Sequence, residues 1–167
     1  TQLGLFFICV LTSAMTAGIG VGGGVVLLGI LPNFLAPAIV IPIHGATQLA
    51  SNISRFVFDW RAVRWDLVKP YVPGALLGGV IGYFLLDDFS FEYLPLILGV
   101  FILLCTWTDL IGQMGRVLGN MFVLGGFQTF LSLFVGAIGL ILPPILFKKG
   151  LSKNDVIATQ SALMTTM

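Results

Sequence analysis

Charge is what this sequence has least of. Only 9% of its 167 residues are Asp, Glu, Lys or Arg and 57% are hydrophobic, where an average soluble domain carries about 25% charge. A water-facing globule of this size must cover most of its exterior with polar groups. The deficit therefore excludes an ordinary soluble domain and fits a chain solvated by a lipid bilayer, which penalises charge at depth. A net charge of +1 gives no basic footprint for nucleic acid, which needs clustered Lys and Arg on one face. Cysteine and histidine are equally sparse. Cys9 and Cys105 stand far apart in apolar stretches without CxxC spacing, and His44 is the only histidine, so neither a metal site nor a redox pair follows. Both cysteines read as small buried hydrophobes.

Catalytic patterns are missing as well. There is no HExxH, no GxSxG, no membrane-embedded pair of acids, and no Ser or Cys at a plausible spacing from His44, so an enzyme is disfavoured and no cofactor is implied. A cleavable signal peptide is not expected, because the first apolar stretch lacks a basic leader and is too long for a signal core of about 7–15 residues. The chain opens without Met and stops inside an apolar run, as expected of part of a longer protein.

What is present is a series of apolar stretches: Leu3–Leu31, Ala38–Phe58, Val68–Leu86, Tyr93–Ile111 and Val117–Phe147, with a sixth beginning near Val156. The middle three have the length, about 20 residues, that a helix needs to cross about 30 Å of hydrocarbon, and are predicted as plain spans. The first and fifth are longer and interrupted, by Gly18, Gly20, Gly22, Gly23, Gly24 and Pro32 in one and by Gly136, Gly139, Pro143 and Pro144 in the other. Glycine weakens helix and proline removes an N–H, so these two are predicted to break, leaving backbone groups that only protein or a wet cavity can satisfy. The fold class expected is all-α: a polytopic transmembrane helical bundle with helices broken at Gly and Pro.

An internal repeat links the two interrupted stretches. Sliding the chain by 112 residues places Gly24 on Gly136, Leu28 on Leu140, Pro32 on Pro144, Ala46-Thr47-Gln48 on Ala158-Thr159-Gln160, and Ala50 on Ala162, seven identities in the 27 positions 24–50. The chain then divides into a first transmembrane repeat, 1–112, and the start of a second, 113–167. Loop charge orients it. Arg55, Arg61, Arg64 and Lys69 mark one turn and Asp87, Asp88 and Glu92 the next, with Arg116 after the fourth stretch, so 55–69 and 116 are expected to be cytoplasmic and 87–92 outside. If the fifth stretch dips in and returns, Lys148, Lys149 and Lys153 stay inside and the repeats are inverted; if it crosses, the lysines sit outside, against the rule. The first arrangement is favoured.

Two elements carry candidate chemistry. Glycine-rich backbone before a short helix presents free N–H groups and the positive end of a helix dipole, which suits an anion at Gly22, Gly23 and Gly24; close helix packing is the competing role. The repeated Ala-Thr-Gln supplies neutral donors: Thr47 and Gln48 at the start of a span, Asn52 one turn on, and Thr159 and Gln160 as the mirror set. Interhelical hydrogen bonding competes with ligand binding for these. His44 reads first as an interfacial residue and second as a proton relay, Asp109 as interfacial, and Arg55 as snorkelling to the cytoplasmic boundary rather than attracting an anion. Trp60 and Trp65 read as interfacial anchors.

In order along the chain, Gly18-Ile-Gly-Val-Gly-Gly-Gly24 with Pro32, Gly45-Ala46-Thr47-Gln48, Asp59-Trp60 and the span from Val72-Pro73-Gly74 to Gly78-Gly79 resemble the sulfite exporter TauE/SafE family of membrane permeases. The resemblance covers most of the chain. Two departures stand out: the family more often has a Gly-Thr-Ser type element at Ala46-Thr47-Gln48, and 136–139 is a thin version of the glycine run. The resemblance implies a larger protein of about seven or eight spans that moves sulfite, sulfonates or related organic anions. The residues by themselves reach a small anion held by backbone amides and neutral polar side chains; with the resemblance, the expectation is a permease in the cytoplasmic membrane that holds the anion at Gly22, Gly23, Gly24, Thr47, Gln48, Asn52, Thr159 and Gln160 and moves it by alternating access. Proton or sodium coupling and oligomeric state are left open. A membrane structural or assembly subunit, or an anion channel, is the alternative.

Overall fold

The computed structural model describes residues 2–19, 22–85, 96, 99–100, 103–104, 119–135 and 138–167. The acidic turn 87–92, Cys105, Asp109, Arg116, most of the fourth apolar stretch, Gly20 and Gly136 lie outside the described residues. Among those described there are seven α-helices and no strand: α1 Gln2–Ile19, α2 Gly23–Ile30, α3 Pro37–Phe58, α4 Trp65–Leu85, α5 Met121–Val135, α6 Leu142–Lys148 and α7 Lys153–Thr165, with 3-10 turns at Leu31–Asn33, Trp60–Ala62 and Ile138–Ile141. The chain is thus all-α, as its composition predicts.

Local sequence sets the helix ends. Ala36 is extended, as the residue before a proline must be, and Pro37 opens α3 where its missing N–H costs nothing. Gly150 closes α6 at φ 80°, a left-handed value that glycine adopts without strain. Ser152 then caps α7: its Oγ accepts from the Asp155 N–H at 3.3 Å and donates to Asp155 Oδ2 at 2.8 Å. This cap draws the polar Lys153-Asn154-Asp155 turn into the helix, so α7 starts ahead of the apolar run at Val156.

Among the described residues each of the two long stretches comprises two helices. α1 ends at Ile19 and α2 begins at Gly23, with Gly22 at φ 98°. α2 lies so close to α1 that a Cβ on Gly23 would fall onto the Thr12 carbonyl and the Thr16 hydroxyl. In the fifth stretch α5 is followed by the 3-10 turn at Ile138–Ile141 and α6, and Lys149 Nζ donates to the Gly119 carbonyl at 3.1 Å. At 1.5 Å per residue, α2 with 8 residues and α6 with 7 are each about 10–12 Å long, far short of about 30 Å of hydrocarbon.

Among the described residues, α4 is the one helix both long and apolar enough to cross a membrane. Its 21 residues reach about 31 Å. α3 has the length, 22 residues, but His44, Thr47, Gln48, Asn52 and Arg55 dilute its apolar character, so the plain span expected at Ala38–Phe58 is a partly polar helix. Pro42 lies inside it, where the ring removes a backbone hydrogen bond.

α4 and α5 pack through small residues. A Cβ on Gly74 would meet the Phe122 carbonyl, one on Gly78 the Gly126 carbonyl, and one on Gly125 the Tyr71 carbonyl. Such contact is possible only where side chains are absent, and it replaces the large-residue core of a soluble bundle. The opposite face of α4 turns Leu76, Leu77, Val80, Ile81 and Phe84 outward, and α1 exposes Leu3, Phe6, Phe7 and Leu11. Large apolar side chains outside and glycine inside reverse the pattern that water selects and match a lipid-facing bundle. One apolar cluster joins the two halves of the chain, from Leu27, Leu28 and Val40 to Tyr71, Leu124, Ile141, Leu146 and Leu163.

Candidate functional site

Helix α3 carries His44, Gln48, Asn52 and Arg55 at steps of four, four and three, one stripe on a 3.6-residue helix. The stripe faces a cavity of about 410 Å³ that lies between α2, α3, the 3-10 turn at Ile138–Ile141 and α7. Gly22 and Gly24 line it from the first long stretch, Gly139 from the fifth and Gln160 from α7. The two interrupted stretches therefore border one chamber.

Within it, His44 Nε2 is 2.9 Å from the Gly24 carbonyl and ties α3 to α2. At 3% exposure His44 is buried within the protein. α3 begins at Pro37 and carries His44 two turns into the helix. For the same reason Thr47 and Gln48 stand in mid-helix and not at the start of a span. Gln48 packs against Gly24: a Cβ there would be 3.1 Å from Gln48 Oε1. In the second half, Gln160 Nε2 donates to the Gly139 carbonyl at 3.3 Å. Each glutamine thus leans on a glycine of the interrupted stretch that precedes its helix.

Asn52 is buried, and its Oδ1 accepts from Arg55 Nη2 at 2.6 Å. Arg55 lines the cavity. Its place in the stripe, three residues after Asn52 and seven after Gln48, was the available signal. Three buried polar atoms around this chamber have no hydrogen-bond partner: Gln48 Nε2, Arg55 Nη1 and Gln160 Oε1. An unsatisfied buried polar group costs about 1–3 kcal/mol, more when charged, so three of them round one cavity mark where a polar ligand would be stabilised.

Gly23, Thr47 and Thr159 do not line the chamber. Gly23 is taken up by the contact with α1. Thr47 Oγ1 donates to the Ile43 carbonyl at 2.9 Å and lies 3.9 Å from Cys9 Sγ. Thr159 Oγ1 accepts from the Arg64 N–H at 3.0 Å, joining the loop before α4 to α7. Adjacent residues on a helix point about 100° apart, so when glutamine faces the cavity its threonine neighbour cannot. Outside the chamber, Arg64 pairs with Asp66 at 2.9 Å, and that hydrogen bond and charge raise the arginine pKa above its usual value. No group of three or more His, Cys, Asp or Glu that could hold a metal occurs among the described residues.

A family model described as Sulfite exporter TauE/SafE matches residues 5–167. No curated protein and no solved structure matches the chain.

Proposed function

Because the chain belongs to the sulfite exporter TauE/SafE family of membrane transporters, we propose that the 410 Å³ chamber is the substrate site of a permease for small sulfur-containing anions, worked by alternating access. One observation carries this reading: the unpartnered Arg55 Nη1 and Gln48 Nε2, a charged and a neutral donor, converge on a cavity lined by glycine backbone. Arg55 meets the charge, Asn52 holds the guanidinium in place, Gln48 and Gln160 orient the ligand, and Gly22 and Gly24 let backbone approach it. Thr47, Thr159 and Gly23 serve packing in this scheme.

Inverted repeats, 1–112 and 113–167, fit the same picture. In this reading each interrupted stretch is a hairpin, the first leading into α3 and the second into α7, and the loop after α3 contacts α7 through the Arg64 N–H and Thr159. Lys149 beside Gly119 supports a re-entrant fifth stretch that keeps Lys148, Lys149 and Lys153 on the side of Arg61 and Arg64. In a cytoplasmic membrane that side is the cytoplasm. Rocking of one hairpin against the other round a fixed midplane site is the motion such repeats allow. Gly22 and the Ile138–Ile141 turn are the breaks that would serve as hinges.

Uptake of labelled sulfite or a labelled sulfonate into proteoliposomes holding the intact protein tests the reading. Saturable flux, lost in a Gln48→Ala, Gln160→Ala double variant, is expected. Flux that never saturates would indicate a channel, and no flux a structural subunit.

A further inference from the structure

The donor atoms of the chamber explain an anion, but its free acceptor does not. Gln160 is 6% exposed, its Nε2 is committed to the Gly139 carbonyl, and its Oε1 has no partner. Turning the carboxamide over would set oxygen against oxygen at Gly139, so the network fixes Oε1 as the atom left over. A bare oxyanion offers only acceptors. It would satisfy Arg55 Nη1 and Gln48 Nε2 and leave Gln160 Oε1 facing nothing that can donate.

We propose that the substrate is an anion that also carries a hydroxyl group, with Arg55 on its charge and Gln160 Oε1 accepting from its O–H. This rests on the anion-site reading above and narrows it. An ammonium could also donate, yet it would bring a second cation beside Arg55 into a chamber whose described lining holds no carboxylate, with His44 the other titratable group. A hydroxyl supplies the donor without that cost. The volume agrees: 410 Å³ lies within the range of about 300–1,000 Å³ typical of organic ligand pockets and exceeds what a bare oxyanion fills. Ile41, Leu49, Leu133 and Met164 line the remainder, suited to a short carbon chain joining the two polar ends.

Titration calorimetry on the purified intact protein in detergent tests this with three probes of one skeleton: ethanesulfonate, 2-hydroxyethanesulfonate and taurine. The hydroxylated anion is expected to bind about tenfold or more tightly than ethanesulfonate, because only it satisfies the buried acceptor, and taurine is expected to gain nothing. Gln160→Met should abolish that tenfold difference, so that ethanesulfonate and 2-hydroxyethanesulfonate bind alike. Equal affinity of the wild type for ethanesulfonate and 2-hydroxyethanesulfonate overturns the proposal, as does a preference that survives in Gln160→Met. The wild-type ratio decides by itself should that variant not fold. Anion binding unchanged in Arg55→Met would instead remove the anion site, a different failure from loss of hydroxyl preference alone, and no binding of any probe would remove both.

Discussion

Asn52 holds Arg55 in place. Its Oδ1 accepts from Arg55 Nη2 at 2.6 Å, and Arg55 Nε donates to the Ser51 carbonyl at 3.3 Å, so the guanidinium lies folded along α3 with Nη1 to spare beside the cavity. A guanidinium fixed on two of its nitrogens loses little further freedom on meeting an anion with the third. Arg55→Met is expected to weaken substrate affinity by about tenfold or more, since hydrogen bonds to a charged group contribute about 1.5–3 kcal/mol. Arg55→Lys, which keeps the charge but not the fork, should recover part of it. Transport assays over a substrate range read both as changes in KM.

Asn52→Leu should act through Arg55. Releasing Nη2 lets the side chain swing from the cavity, so KM is expected to rise about tenfold while the amount of folded protein changes little. If Asn52→Leu leaves KM unchanged while Arg55→Met raises it, Asn52 is not the positioning residue.

Gly23 and Gly24 are neighbours with opposite sensitivities. Gly23→Ala would drive a methyl group into the Thr12 carbonyl and Thr16 hydroxyl, forcing α1 and α2 apart, and is expected to abolish accumulation of folded protein. Gly24→Ala meets only the end of the Gln48 side chain, at 3.1 Å, which can move. It should leave the protein folded and change affinity instead. Size-exclusion profiles of the detergent-extracted variants, followed by transport for Gly24→Ala, check the pair.

The α4–α5 seam should be as exacting. Gly78→Ala, whose Cβ would overlap the Gly126 carbonyl, is expected to destabilise by about 1–3 kcal/mol, while Gly29→Ala, which meets nothing, should be neutral or slightly stabilising. Thermal unfolding in detergent ranks them.

Thr159→Val removes the acceptor of the Arg64 N–H and leaves a backbone donor without its partner, at a cost of about 1–3 kcal/mol, whereas Thr159→Ser should be tolerated. Arg64→Ala keeps that backbone bond and loses only an exposed ion pair with Asp66, so it should unfold at the wild-type temperature. The same unfolding measurement separates backbone from side chain at this position.

Much of this was legible in the residues themselves. The scarcity of charge requires lipid around the chain, the glycines and prolines of the first and fifth stretches mark where helix is hard to continue, and the match of Gly24 and Gln48 with Gly136 and Gln160 pointed to paired sites. Glycine alone left its own role undecided: Gly23 packs a helix and Gly24 borders a chamber, and only their neighbours in space distinguish them. The Thr-Gln pairs were ambiguous in the same way, since sequence places threonine and glutamine together while helix rotation sends them to different faces.

Composition and spacing, then, determined the solvent, the helical class and the stripe of polar residues on α3, because these depend on the chain's own chemistry and the helical period. Tertiary structure alone decided that Gly139 and Gln160 stand across from that stripe, that Arg55 turns into the chamber, and that one acceptor is left over there. Which polar atoms find partners depends on contacts between separate elements, such as His44 with Gly24 and Gln160 with Gly139, 20 and 21 residues apart, and no helical period encodes their meeting.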